Sequence, residues 1–186
     1  MFSKGEIFME DHKYVVRREH YPDGTLRVEL SYTLDGVQNG PAQTFFPDGS
    51  LTSRIMYQDN AMHGSAQVYY PDGQLRNEFS YQHNQRDGLY RSYYENGQLS
   101  LETTFIGGAV HGEYKGFYEN ATLREESLFE NNKREGSTCT YYDNGTLETD
   151  SVFENGVRTQ CREFDKNGKL IEAPQGHADP VAAVLG

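Results

Sequence analysis

Tryptophan is absent from this chain of 186 residues, cysteine occurs only twice, and bases are outnumbered, with 17 Lys and Arg against 28 Asp and Glu. Long apolar runs are also missing. No stretch approaches the ~20 apolar residues a membrane helix needs, and the opening MFSKGEIFMEDHKYVVRREHY has no uninterrupted apolar segment of signal-peptide length. The expectation is a soluble, cytoplasmic protein. The formal charge of -11 opposes direct binding to nucleic acid or anionic lipid, because both are polyanions that Lys and Arg must neutralise. A basic protein partner is favoured instead. With 35% hydrophobic residues and a mean hydropathy of -0.81, the chain cannot fill a thick two-layer core.

What the chain does have is Tyr, Phe and Gly, at 14, 10 and 19 copies. They recur with a period of 24 residues. A turn glycine falls at Gly24, Gly49, Gly73, Gly97, Gly145 and Gly168, with Ala121 in the same slot of one repeat. A leucine follows two positions later (Leu26, Leu51, Leu75, Leu99, Leu123, Leu147) and an aromatic eight positions later (Tyr32, Tyr57, Tyr81, Phe105, Phe129, Phe153). Their even separation predicts that leucine and aromatic share one face of a strand. A second glycine column, Gly40, Gly64, Gly88, Gly112 and Gly136, leads into aromatic pairs such as Tyr69-Tyr70, Phe117-Tyr118 and Tyr141-Tyr142.

Each repeat therefore reads as two strands joined by two kinds of turn. Asp59-Asn60, His83-Asn84, Gly107-Gly108, Asn131-Asn132 and Asn155-Gly156 are residues that tolerate the positive φ of a two-residue hairpin. Between repeats, YPDG places Pro second and Gly fourth, as in a type I turn whose last residue is left-handed. Regular spacing with no helical pattern between strands excludes βαβ units. The predicted fold is all-β, an elongated, single-layer, twisted antiparallel meander of about six hairpin repeats. Residues 1–20 form an N-terminal capping segment with a strand around Tyr14, Val15 and Val16, residues 21–172 the array, and residues 173–186 a C-terminal tail.

The repeated YYxDGxLxxExxYxxNxxxGxxxxYY unit resembles the bacterial variant of the MORN repeat, found in YwqK-type antitoxin or immunity proteins, over roughly residues 20 to 172. That resemblance implies a non-enzymatic protein whose partner is a cognate toxin. A structural scaffold or membrane-associated module is the alternative, which the negative charge disfavours.

Candidate chemistry is sparse. His63, Asp87, His111 and Glu135 precede the second glycine in successive repeats, but equivalent positions lie two strands, ~9.5 Å, apart, too far for one zinc ion. No metal, cofactor or catalytic group is expected. Cys139 and Cys161 fall on second strands of neighbouring hairpins, again too far apart for a disulfide. Acids recur in the first strands at Glu29, Glu78, Glu102, Glu126 and Asp150, with Arg54 the exception. They read either as a solvated row partnered by Arg27, Arg76, Arg91 and Arg124, or as a ladder of negative charge presented to a basic partner. Acid and aromatics coincide most in the C-terminal half, so the expected partner-binding residues are Glu119, Glu125, Glu126, Glu130, Glu135, Tyr114, Phe117, Tyr118, Tyr141 and Tyr142.

Overall fold

The computed structural model describes residues 6–10 and 14–171. The tail predicted at 173–186 lies outside the described residues, as does part of the N-terminal segment. Strands β1 (Glu6–Glu10) and β2 (Tyr14–His20) precede the repeats. The repeats then supply β3 (Leu26–Thr33) and β4 (Gln38–Phe45), β5 (Leu51–Gln58) and β6 (Ala61–Tyr69), and β7 (Leu75–Gln82) with β8 (Gln85–Arg86) and β9 (Gly88–Tyr93). They continue as β10 (Leu99–Ile106) and β11 (Ala109–Phe117), β12 (Leu123–Glu130) and β13 (Lys133–Tyr141), and β14 (Leu147–Glu154) and β15 (Val157–Glu163). All join one open antiparallel sheet in chain order, with the two-residue β8 paired to β7 beside the main path. The fold is all-β, a meander without helices among the described residues.

Both turn types form as their residues dictate. Asp59, Asn60, His83, Asn84, Gly107, Gly108, Asn131, Asn132, Asn155 and Gly156 all have positive φ, as a two-residue hairpin with the sheet's own twist requires. In the inter-repeat turns, the Gly24 N–H donates to the Tyr21 carbonyl and the Tyr21 N–H to the Thr25 carbonyl, a type I turn closed by a left-handed residue. Ala121 adopts this conformation too, at φ 64°. The extra residue of the first repeat converts its hairpin into the same three-residue form, closed from Gly36 to Thr33 and from Thr33 to Val37.

The sheet is thin. Among the described residues the buried apolar side chains are Val16 and Ala66, and the buried polar ones are Ser31, Asn77, Thr103, Ser127, Thr138 and Ser151. Neighbouring repeats are also tied by backbone-directed tyrosines. The hydroxyls of Tyr21, Tyr70, Tyr94, Tyr118 and Tyr142 donate to the carbonyls of Phe45, Tyr93, Phe117, Tyr141 and Phe164, at 2.7 to 2.9 Å. Each bond spans one repeat. Phe46 holds the equivalent position without a hydroxyl.

Two irregularities decide which side chains share a face. Just after each inter-repeat turn the register slips by one: Leu147 pairs with Tyr141, whereas Thr149 pairs with Thr140. Tyr141 and Thr140 point to opposite faces, so Leu147 and Thr149 do as well. The expectation that the leucine column shares a face with the later aromatics is therefore corrected: the bulge sends the leucines to the other side. A second slip, of two residues, occurs at the second glycine, as between Ser127↔Thr138 and Leu128↔Glu135. Gly136 has φ 70° there. In the last repeat Gln160 replaces that glycine, and the slip between Val152↔Gln160 and Phe153↔Arg158 is only one residue.

Candidate functional site

The registers assemble a line of side chains across the sheet that no single repeat reveals. Stepping from β2 to β15, the paired residues are Arg18, Glu29, Gln43, Arg54, Gln67, Glu78, Arg91, Glu102, Lys115, Glu126, Cys139, Asp150 and Arg162. Directly paired residues project from the same face, so this is one transverse row. Its five acids are matched by five bases, and the row is neutral. Arg18 bonds Glu29 at 2.6 Å, Arg91 bonds Glu102 at 2.7 Å and Glu78 at 3.4 Å, and Arg162 pairs with Asp150. Of the two readings of these acids, the row partnered by bases is the one these ion pairs favour. Of the bases expected beside them only Arg91 joins the row; Arg27 pairs with Glu19 and Arg76 bonds Asn77.

Tyrosine hydroxyls complete this charge face. Tyr93 donates to Glu78 at 2.7 Å and Tyr141 donates to Glu126. Burial, with the neighbouring Glu78 carboxylate, pushes the Tyr93 phenol up to about 12, and burial with Glu126 pushes Tyr141 up as well. The opposite face carries aromatics and arginines. Tyr90 packs between Phe79 and Phe105, with centroids 5.7 Å away on either side, and the Arg86 guanidinium lies over all three rings. Further along, Tyr114 packs on Phe129, and Arg134 covers Phe129 and Phe153. Such stacking of Arg on ring faces is favourable and holds the strip together across repeats.

The residues expected to bind a partner are divided among these surfaces. Glu126, Phe117 and Tyr141 lie on the charge face, while Tyr114 and Glu125 lie on the aromatic face, where Glu125 is bonded to Arg134 and Ser127. Tyr118 and Tyr142 spend their hydroxyls on inter-repeat carbonyls. Glu130 is exposed beside a hairpin turn. Glu135 accepts from the Asn155 N–H at 2.8 Å. Glu119 sits exposed in an inter-repeat turn, with no side-chain constraint from the turn itself.

That rim carries acids at the repeat's own spacing. Six successive turns each present one exposed acid: Asp23, Asp48, Asp72, Glu95, Glu119 and Asp143. In the first three, the Asp closes its own turn, accepting the N–H two residues on at 2.9 Å; the Thr25 N–H holds Asp23, and the Ser50 hydroxyl with its N–H holds Asp48, below the usual carboxylate range. In the last three, Asn96, Asn120 and Asn144 take over that bond and also donate to the next turn's carbonyl, at Glu119, Asp143 and Lys166. Glu95 and Glu119 are thereby released from the turn.

The opposite rim explains the alternating His and acid slot. Where the second hairpin residue is Asn, its side chain accepts a neighbouring backbone N–H: Asn60 from Gln38, Asn84 from Met62, Asn132 from Val110, each at 2.8 Å. Where it is Gly108 or Gly156, the preceding repeat's Asp87 or Glu135 accepts the N–H of Gly107 or Asn155 instead. His63 and His111 stand in the repeats where Asn makes that clasp. No group of three or more His, Cys, Asp or Glu among the described residues is placed to hold a metal ion. Cys139 and Cys161 are free, with Cys139 in the charged row and Cys161 opposite Ser151 in the adjacent row, so they project from opposite faces.

Comparison with known families decides what the repeat is. The family described as MORN repeat variant matches residues 38–59, 62–83, 86–106, 110–131 and 134–155. The chain belongs to the MORN repeat variant family. Each matched MORN unit begins just after one hairpin turn and ends at the next, so it centres on the inter-repeat turn and its two flanking strands. No curated protein matches the chain. Among solved structures, a point mutant of S. aureus TarM in complex with Fondaparinux, alpha-GlcNAc-glycerol and UDP is similar over 70% of this chain and 22% of that one, at 16% identity and a TM-score of 0.29. The matched part thus spans about a fifth of that chain's length.

Proposed function

We propose that this MORN-variant array is a non-enzymatic binding protein of the cytoplasm, an immunity protein or antitoxin that neutralises a cognate basic toxin by direct contact. It uses no cofactor. The observation that carries this reading is the acidic rim. Its carboxylates recur once per repeat, ~9.5 Å apart by the spacing of alternate strands, and Glu95 and Glu119 are held by no turn bond. A comb of this pitch presents evenly spaced charge to a basic surface and speeds encounter. Tyr118 and Tyr142, beside the same turns, supply apolar area on rings already fixed by their hydroxyl bonds, which lowers the ordering cost of an interface. The charge-balanced row and the arginine-capped aromatic face favour a basic partner less.

Co-expression with the product of each neighbouring reading frame tests the proposal. One such product should arrest growth alone and be silenced by this chain through a complex recovered on purification. Glu95→Lys with Glu119→Lys should slow association and flatten its salt dependence, while Glu78→Gln on the charge face leaves the complex intact. Absence of any complex with a growth-arresting neighbour rejects the antitoxin reading. Salt-sensitive sedimentation with anionic vesicles would instead favour a membrane-associated scaffold.

A further inference from the structure

Among the described residues no second layer covers the charge face, and near the middle of the sheet that face is complementary to itself. Leu89 and Leu128 stand exposed there, at 44% and 48%. Leu89 lies two residues from Arg91 and Leu128 two residues from Glu126, both towards the hairpin rim, so each shares the face of the charge row. They line separate hollows on it, Leu89 with Glu78 and Arg91, Leu128 with Lys115 and Glu126.

We propose that a second copy of this chain covers that face, about a two-fold axis running along the strands between β10 and β11. This inference rests on the strand registers and is independent of the antitoxin reading. Such an axis keeps every residue at its height along the strand and reverses the strand order, so β10 faces β11 of the other copy and β9 faces its β12. Glu102 then lies opposite Lys115, and Arg91 opposite Glu126, because the four occupy consecutive places in the row as Arg91, Glu102, Lys115 and Glu126. Each contact occurs twice. One step towards the hairpin rim, the same operation sets Leu89 opposite Leu128.

Neighbouring placements fail on charge or on apolar contact. An axis through β10 sets Glu102 against itself and Arg91 against Lys115, like charges face to face. An axis along the row sets every charge against its own copy. Between β9 and β10, opposite charges meet again, but Leu89 falls on Thr104, its pairing neighbour in the sheet. Between β11 and β12, Leu128 falls on Glu113 for the same reason. The axis between β10 and β11 satisfies both demands. Twisted sheets stack face to face at about 30°, and the six strands β7 and β9–β13 offer about 750 Å² per copy, at ~4.8 Å per strand and ~3.3 Å per residue. That is near the ~800 Å² per partner of a standard interface. The alternating charges fix the register and exclude others, while the leucines supply apolar contact at its centre.

Sedimentation velocity and light scattering on the full chain, with no other protein present, test this. The mass should rise with concentration from monomer to dimer and stop there. Leu89→Lys should weaken the dimer about tenfold or more, and Leu128→Glu should do the same, because each sets a charge against a leucine. Mixed together, the two variants should associate as well as the unsubstituted chain, since the introduced charges face one another and the second leucine contact survives. Circular dichroism checks that each variant keeps its strand content. A further measurement needs no variant: carbodiimide treatment of mixed isotope-labelled and unlabelled chain should join Lys115 of one copy to Glu102 of the other. A monomer mass at every concentration overturns the proposal, as does growth past the dimer. A dimer that ignores both substitutions, a mixture that restores nothing, or the absence of that cross-link between labelled and unlabelled copies also overturns it.

Discussion

The hairpin rim offers a direct test of how the repeats are clasped. Asp87 accepts the Gly107 N–H at 3.0 Å, and Gly108 leaves no Asn side chain to make the alternative bond. Asp87→Ala removes the acceptor. A bond to a charged acceptor is worth ~1.5–3 kcal/mol where it is shielded, but at this exposed turn water replaces much of it, so the cost is about 1 kcal/mol. With a urea dependence of about 2 kcal/mol/M for a domain of this class, the midpoint should fall by about 0.5 M. The informative variant is the rescue. Gly108→Asn should create the bond that Asn84 makes to the Met62 N–H, here to the Arg86 N–H, because Gly108 already has positive φ and donates to the Arg86 carbonyl as Asn84 does to Met62.

In the double variant most of the lost midpoint should return, whereas Gly108→Asn alone should change it little, since its own gain is offset by the φ that Gly tolerates better. Amide exchange at Gly107 gives a local readout, with faster exchange in Asp87→Ala. If Asp87→Ala leaves the midpoint unchanged, or if the two substitutions prove simply additive, then the two clasps are not alternatives and the explanation of the His and acid alternation fails.

Four other outcomes follow from the geometry. Ala121→Gly should raise the urea midpoint, because a Cβ at φ 64° costs ~1–2 kcal/mol; an unchanged midpoint would mean the turn relaxes at no cost. Phe46→Tyr should supply the missing inter-repeat hydroxyl bond and add about 1 kcal/mol, measured by the same unfolding, with the reciprocal loss in Tyr94→Phe. Thr138 holds a buried hydroxyl with no partner, so Thr138→Val should stabilise by about 1 kcal/mol; destabilisation would show that the hydroxyl is satisfied. In an absorbance titration of the phenols, Tyr93 should ionise only near about 12. Its folded value exceeds the ordinary one of about 10, so the associated stability is intact below that and is lost as pH rises towards about 12. Tyr93→Phe should remove the late-ionising phenol and blunt the alkaline loss of stability.

The turns were legible because positive φ is a local demand that only Gly, Asn, Asp and a few others meet cheaply. Even Ala121 could be placed, since its neighbours in the period fix its slot. Strand number and order followed from the same spacing. What the period could not reveal was the slip in pairing on either side of it. Leu147 and Phe153 are an even number apart, yet a one-residue bulge between Leu147 and Thr149 turns the leucine to the other face. Lys115 and Arg162 were missed for the same reason: they fall opposite Glu126 and Asp150 only after the slips are counted. The clasp between Asp87 and Gly107 was visible in principle, as Gly108 and Gly156 follow the repeats bearing Asp87 and Glu135, while Asn84 and Asn132 follow those bearing His63 and His111.

The division of charge between row and rim has a physical cause. Along the row, neighbours sit on adjacent strands ~4.8 Å apart, and along the rim, equivalent acids sit two strands apart at ~9.5 Å. With a Debye length of ~8 Å at physiological salt, like-charge repulsion at the larger spacing is about a quarter of that at the smaller. A column of acids on every strand would therefore work against the sheet itself, and the row avoids this by placing Arg91 between Glu78 and Glu102, and Lys115 between Glu102 and Glu126. The rim can hold one acid per repeat with little penalty. It follows that net charge can vary at Glu95 or Glu119 without threatening the fold, which suits the rim to the partner contact proposed for it. Substituting Arg91→Glu should then lower stability, by setting like charges against both neighbours, while Glu119→Lys leaves unfolding unchanged and alters only association. A stability loss at Glu119 equal to that at Arg91 would mean that rim and row are not separable.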